Sequence, residues 1–276
     1  MKLLSDVDIK KEIGTNILIY PYKNKNLKGA SYNLTPSQLA WDLKTKASIY
    51  DPTTKTIVIH PRCTALIETF ETVWVSPKIA GTYHSKVYQV SQGAGHIGTT
   101  LDPNYIGPSL ISVHNHNDTE PIQLVVGEDS FMTLAFQYVH TDSSIEQHGN
   151  FPGRIEILNQ VGIRPTADEQ RWLGQSFMNS REALKAELKK CKDYKAIERE
   201  RESQVQKFSL RKLNIGLGIM TIALISIAAI LSIQRINLGQ LPWWYTPVTF
   251  TVEKSIEAIA VVWITLITNR ILNHGK

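Results

Sequence analysis

The chain reads as a mainly β N-terminal domain, followed by a long charged helix and two C-terminal hydrophobic helices. Three observations carry this reading. Short apolar runs recur at intervals of about ten residues from Ile17 to Phe136, with Gly, Pro, Asn and Asp between them. From Ala167 to Lys212 there is no Pro and a single Gly, Gly174. Leu213–Ile233 then runs for 21 positions without a charged residue.

The elements follow in order. Ser5-Asp6 ahead of Val7, Ile9 and Ile13 predicts a short N-capped helix at the start. The expected strands are 17–20, 56–60, 65–69, 79–83, 110–113, 122–126 and 132–136. No long helical period interrupts them, which disfavours alternating strands and helices and points to a sandwich or barrel. The domain is expected over residues 1–140, with a connection at 141–165. Residues 166–212 predict a helix in which Trp172, Leu173, Phe177, Leu184 and Leu188 recur at roughly helical spacing. That helix either packs back on the domain or forms a stalk.

At about 1.5 Å per residue, the span 213–234 matches a bilayer core. The Trp243-Trp244-Tyr245 cluster in 235–247 predicts an interfacial turn. Residues 248–272 either span or lie along the surface, because Glu253, Lys254 and Glu257 interrupt them. A lipid bilayer is thus an expected partner. The expected location is the inner or cell membrane, with the N-terminal domain in the cytoplasm.

Net charge is +5, with pI near 9.0. Arg181–Lys212 carries 11 Lys/Arg against 6 Asp/Glu, a surplus equal to the whole excess. Charge gathered beside an apolar run speaks for membrane orientation and against nucleic acid. Cys63 and Cys191 stand far apart, which excludes a disulfide framework and a CxxC metal site. Met1–Asp6 holds no apolar core of the length a secretory signal needs, so none is expected there.

The most informative stretches are SPKIAGTYHSKV (76–87), GTTLDPNYIGPSLISV (98–113) and EPIQLVVGEDSFMTLAF (120–136). With MKLLSDVDI at the start and KGASYNL at 28–34, their order and spacing resemble the dCTP deaminase and dUTPase superfamily, on its deaminase-like branch. The likeness covers about residues 1–138, half the chain. It implies a dUTPase-like distorted β-barrel or jelly roll, a homotrimer, and nucleotide sites between subunits. Asp102 matches the aspartate that contacts deoxyribose and, in dUTPases, orients the attacking water. Tyr105 and Gly107 match the aromatic and glycine after it, and Ser85 a phosphate-contacting serine. His84, Lys86 and Gln89 fall at or beside phosphate-binding positions, and Ser112 falls at the position of the proton-shuttling glutamate.

The departures matter as much. His84 and Gln89 stand where the family has arginines. Serine cannot act as a carboxylate acid–base at neutral pH. Residues 140–165 do not resemble the family's glycine-rich C-terminal arm. Lys78, His96, His114 and His116 lie near the site in sequence. His114-x-His116 on a strand shares one face and could bind metal or phosphate, or form a plain polar edge. Gly93-Ala94-Gly95 could cradle a phosphate or simply turn.

These features predict a domain that binds a nucleotide or nucleotide-derived signal between subunits and passes it to the membrane helices, in the manner of an antiviral effector. The alternatives are a tethered dUTP pyrophosphatase or dCTP deaminase, using Asp102 with Mg²⁺ on the nucleotide phosphates, and an oligomerisation platform.

Overall fold

A computed structural model describes residues 2–96, 98–145, 154–237 and 245–274. It divides into two compact units, Met1–Glu198 and Arg199–Lys276.

The first unit is built on strands. In chain order they are β1 (Lys2–Leu3), β2 (Ile17–Tyr20), β3 (Leu27–Lys28), β4 (Ser31–Leu34), β5 (Pro36–Asp42), β6 (Tyr50–Asp51) and β7 (Thr56–Ile59). Then follow β8 (Thr64–Val75), β9 (Ile79–Ser85), β10 (Ala94–Gly95), β11 (Thr100–Leu101), β12 (Ile106–Asn115), β13 (Ile122–Val125) and β14 (Met132–Tyr138). One sheet runs β11-β9-β14-β4-β3, with β1 also on β14. A second runs β10-β12-β8-β2, with β5 also on β8, and a third runs β13-β7-β6. All pairings within these sheets are antiparallel.

The expected strands are present, several of them longer than their apolar runs. β8 carries the run at 65–69, which holds Glu68, on through Glu71 and Thr72, and all three are fully buried. β4 and β5 escape the pattern because Asn33, Thr35 and Ser37 interrupt it, and all three are buried. The opening helix, α1 (Asp6–Glu12), is capped as expected. The Ser5 hydroxyl accepts from the Asp8 amide while the Asp8 carboxylate accepts from the Ser5 amide.

The segment expected as one long helix is broken. A short helix α2 (Val87–Ser91) lies between β9 and β10, and α3 (Ile155–Gln160) follows β14. α4 (Ala167–Leu173) starts at a capping box of Thr166 and Glu169 and ends at Gly174. After a 3₁₀ turn at Ser176–Met178 comes α5 (Arg181–Lys190), then α6 (Lys192–Asn237). Of the two readings offered for residues 167–190, packing on the β-domain is the one observed. Leu158, Ile163, Leu173 and Met178 bury a second cluster against Leu39, Trp41 and Leu66. Leu184, Leu188, Tyr194 and Ile197 join the main core. The Arg181 guanidinium lies 4.3 Å from the Trp74 ring centroid. Each fully buried leucine contributes about 1.5–3 kcal/mol, so these helices belong to the domain's own core.

The second unit contains the rest of α6 and α7 (Tyr245–His274). The charged run begins in α5, and its remainder, from Lys192, lies with the apolar run in one unbroken α6. Lys254 and Glu257 of α7 form an exposed ion pair at 2.7 Å. Among the described residues, no helix is long and apolar enough to cross a membrane. This overturns the expected membrane location, and it leaves the bilayer as a partner without support. The expected interfacial turn falls mostly on 238–244, outside the described residues.

Candidate nucleotide site

The sequence-predicted residues fall on three elements. His84 and Ser85 end β9, Lys86 caps α2, and Gln89 is the buried residue of α2. Asp102 and Tyr105 lie in the turn from β11 to β12, and Ser112 lies on β12.

The β9–α2 end forms one cluster. Ser85 Oγ is 3.2 Å from His96 Nδ1. Ser85, Gln89 and His96 line a cavity of about 10 Å³ with Val113, Phe131 and Met132, room for about one water. His96 Nε2 is buried with no hydrogen-bond partner among the described residues. Burial, then the neighbouring His84, lowers the His96 pKa and favours the neutral ring. His84 is exposed, opposite Thr133 of β14. Lys86 is half-buried, and burial followed by repulsion from Lys28 lowers its pKa. The strand therefore presents a hydroxyl, a buried amide and basic groups where arginines were absent from the sequence.

The second cluster is the Asp102 turn. Asp102 is exposed, and its Oδ1 lies 3.4 Å from Thr100 Oγ1. The Tyr105 amide donates to the Asp102 carbonyl at 3.2 Å. Asn104 takes a positive φ of 66°. Tyr105 is buried rather than presented: its hydroxyl donates to the Pro108 carbonyl, and Arg154 lies 5.6 Å from its ring. Gly107 takes φ 141°, and a Cβ there would stand 3.3 Å from the Tyr105 hydroxyl. The aromatic and the glycine thus shape the turn that carries Asp102. Ser112 is exposed, opposite Leu66.

The two clusters are not brought together in one chain. Thr100 pairs with Thr82 and Leu101 with Gly81, so the ladder carries Asp102 away from Ser85. Continuing that register puts Asp102 beside Ala80, five residues from Ser85, or about 16 Å along the strand.

The histidine and glycine candidates have local roles. His114 Nδ1 is 2.8 Å from Thr64 Oγ1, and its ring meets that of His116 edge-on at 4.4 Å. Gly95 pairs with His114, and a Cβ there would stand 2.2 Å from His116 Nε2. The Gly93–Gly95 segment is therefore a strand edge packed under His116 and Asn117. Among the described residues, no group of three or more His, Cys, Asp or Glu is placed to hold a metal ion.

Sequence reasoning missed a buried polar group in mid-β8, opposite Leu110 of β12. Glu68 is fully buried, and neither of its carboxyl oxygens has a hydrogen-bond partner among the described residues. Burial holds its pKa well above the ordinary carboxylate range. Tyr83 and Ser109 bond side chain to side chain at 2.5 Å. Burial pushes the Tyr83 phenol above its usual range, opposed by Ser109 and Arg154 and assisted by Glu68 and Asp102. The available signal was two acids, Glu68 and Glu71, inside an otherwise apolar run.

Residues 3–136 match the family described as dCTP deaminase-like. The chain is similar to the 2′-deoxycytidine 5′-triphosphate deaminase of Agrobacterium tumefaciens at 13% identity and a TM-score of 0.42, covering 50% of this chain and 49% of that one. The chain thus spans about half the length of that deaminase. It is similar to the EIAV dUTPase at 22% identity and a TM-score of 0.33, covering 50% and 95%. It is also similar to a mutant dUTPase of S. aureus phage phi11, described with a structural Mg(II) ion, at 15% identity and a TM-score of 0.34, covering 49% and 98%. No curated protein matches.

Proposed function

We propose that the dCTP deaminase-like domain at residues 3–136 binds a nucleotide between copies of this chain. The observation that carries this reading is the separation of Asp102 from Ser85 along β9. At about 16 Å along the strand, one copy does not bring both to a single sugar–phosphate unit, whereas Asp102 of one copy and Ser85 of another can meet. A homo-oligomer follows, and the resemblance to the dUTPase superfamily makes it a trimer.

In this reading the Asp102 carboxylate accepts a hydrogen bond from the deoxyribose hydroxyl. His84, Ser85 and Lys86 of the neighbouring copy take the phosphates, with Gln89 offering an amide where a guanidinium would be stronger. Tyr105 acts by shaping the turn, and Ser112 borders the base without supplying an acid. Mg²⁺ would come to the site on the nucleotide phosphates. Binding without deamination fits the serine at position 112. A second reading, hydrolysis by a water held on Asp102, rests on the exposure of that residue beside Thr100.

The test uses the full chain. Thermal shift with dCTP and dUTP, with and without Mg²⁺, should show stabilisation. Asp102→Ala and Ser85→Ala should each abolish it. Co-assembled D102A and S85A chains should recover part of it, because some interfaces then pair an intact Asp102 with an intact Ser85. A co-assembly as silent as its parents rules out the shared site. Release of pyrophosphate or ammonia that disappears in D102A replaces pure binding with turnover.

A further inference from the structure

Ser85 and His96 belong to different sheets. Ser85 ends β9, opposite Met132 of β14. His96 directly follows β10, whose Gly95 pairs with His114 of β12. Gly95 lies so close under His116 that even a Cβ would not fit, which fixes the strand that carries His96. The two side chains meet at 3.2 Å, Ser85 Oγ to His96 Nδ1.

A hydroxyl and a neutral imidazole share such a bond in one of two ways. Either the serine donates to the ring, or the ring donates to the serine. The choice decides what Ser85 offers a ligand. A serine that donates to Nδ1 has committed its one hydrogen and presents only lone pairs. A serine that accepts from an Nδ1–H keeps its hydrogen for an anion.

The far side of the ring makes the choice. His96 Nε2 is buried with no hydrogen-bond partner among the described residues. Val113, Phe131 and Met132, which line the same cavity, are apolar and offer no acceptor. Gln89, also in the lining, does not bond to Nε2. A neutral ring carries one N–H. On Nε2 it would be an orphaned buried donor, and such donors are rarer than under-used acceptors. On Nδ1 it has Ser85 as its acceptor. Burial, then the neighbouring His84, disfavours the doubly protonated ring that would carry both.

We infer that His96, in its Nδ1–H form, is a positioning residue for Ser85: it holds the serine oxygen and frees the hydroxyl hydrogen for a phosphate oxygen of the nucleotide. This inference rests on the nucleotide reading above. It bears most on a chain with His84 and Gln89 where the family has arginines. Without a guanidinium fork, each remaining neutral donor carries more of the phosphate contact.

The test has two arms, both on the full chain. In the first, selective ¹⁵N-histidine labelling and long-range ¹H–¹⁵N correlation near neutral pH read the tautomer, with His96 assigned by its loss in His96→Asn. Nδ1 should carry the proton and Nε2 should not, and Ser85→Ala should speed exchange of that proton. In the second, dCTP binding is titrated. His96→Ala should weaken it about fivefold, the scale of one hydrogen bond. His96→Asn, which places an amide donor near the Nδ1 position, should restore most of it. An Nε2–H tautomer in the wild type, wild-type affinity in H96A, or H96N no better than H96A overturns the proposal while the nucleotide reading stands. The tautomer decides by itself if H96A does not fold. A wild-type chain that binds no dCTP or dUTP removes the nucleotide reading and this proposal together.

Discussion

The Glu71 carboxylate is clamped by Thr35, whose amide and hydroxyl donate to it at 2.8 and 2.9 Å. Asn26 adds a longer bond at 3.4 Å. These bonds favour the charged form, but full burial outweighs them and pushes the Glu71 pKa up to about 7. The folded value lies above the ordinary 4.5, so the fold retains a proton that the unfolded chain gives up. The stabilisation is complete below about pH 4.5 and is lost as pH rises through 7. It amounts to roughly 3 kcal/mol. Thermal denaturation should give a higher Tm at pH 5.5 than at pH 8, and Glu71→Gln should reduce that difference. Equal slopes in both proteins would refute the assignment.

Tyr83 and Ser109 hold β9 to β12 through one buried side-chain bond. Tyr83→Phe leaves the serine hydroxyl buried without that partner and should cost about 1–3 kcal/mol in urea denaturation. An unchanged midpoint would mean that the hydroxyl finds another acceptor.

Gly107 is fixed by its φ of 141° and by the Tyr105 hydroxyl. Gly107→Ala should destabilise by about 1–3 kcal/mol and weaken nucleotide-induced stabilisation, because the same turn carries Asp102. A variant with normal Tm and normal nucleotide shift would contradict this role.

Leu184 and Leu188 are fully buried in the main core. Leu184→Ala should cost about 2–5 kcal/mol. A chain ending at residue 140 should aggregate, since it leaves Leu39, Trp41 and Leu66 uncovered. A soluble, cooperatively melting 1–140 fragment would show that the helices are dispensable.

The sequence by itself determined the β-character of residues 17–136, because alternating apolar runs cut by turn residues report burial of strands directly. It determined the opening cap at Ser5 and the helix start at Thr166, where capping is local chemistry. It also determined the order of the motifs that the dCTP deaminase-like match spans. The tertiary structure decided what depends on neighbours distant in sequence. Leucines at 173, 184 and 188 read equally well as a stalk, and only the apolar faces of β2, β5 and β8 show what they bury against. Glu68 and Glu71 stand out in the sequence only as two acids in an apolar run, and only the surrounding strands show that both are fully buried. Asp102 and Ser85 are neighbours in motif order, yet the β9–β11 register sets them apart. Hydrogen-bond register is a property of paired strands, and no single strand encodes it.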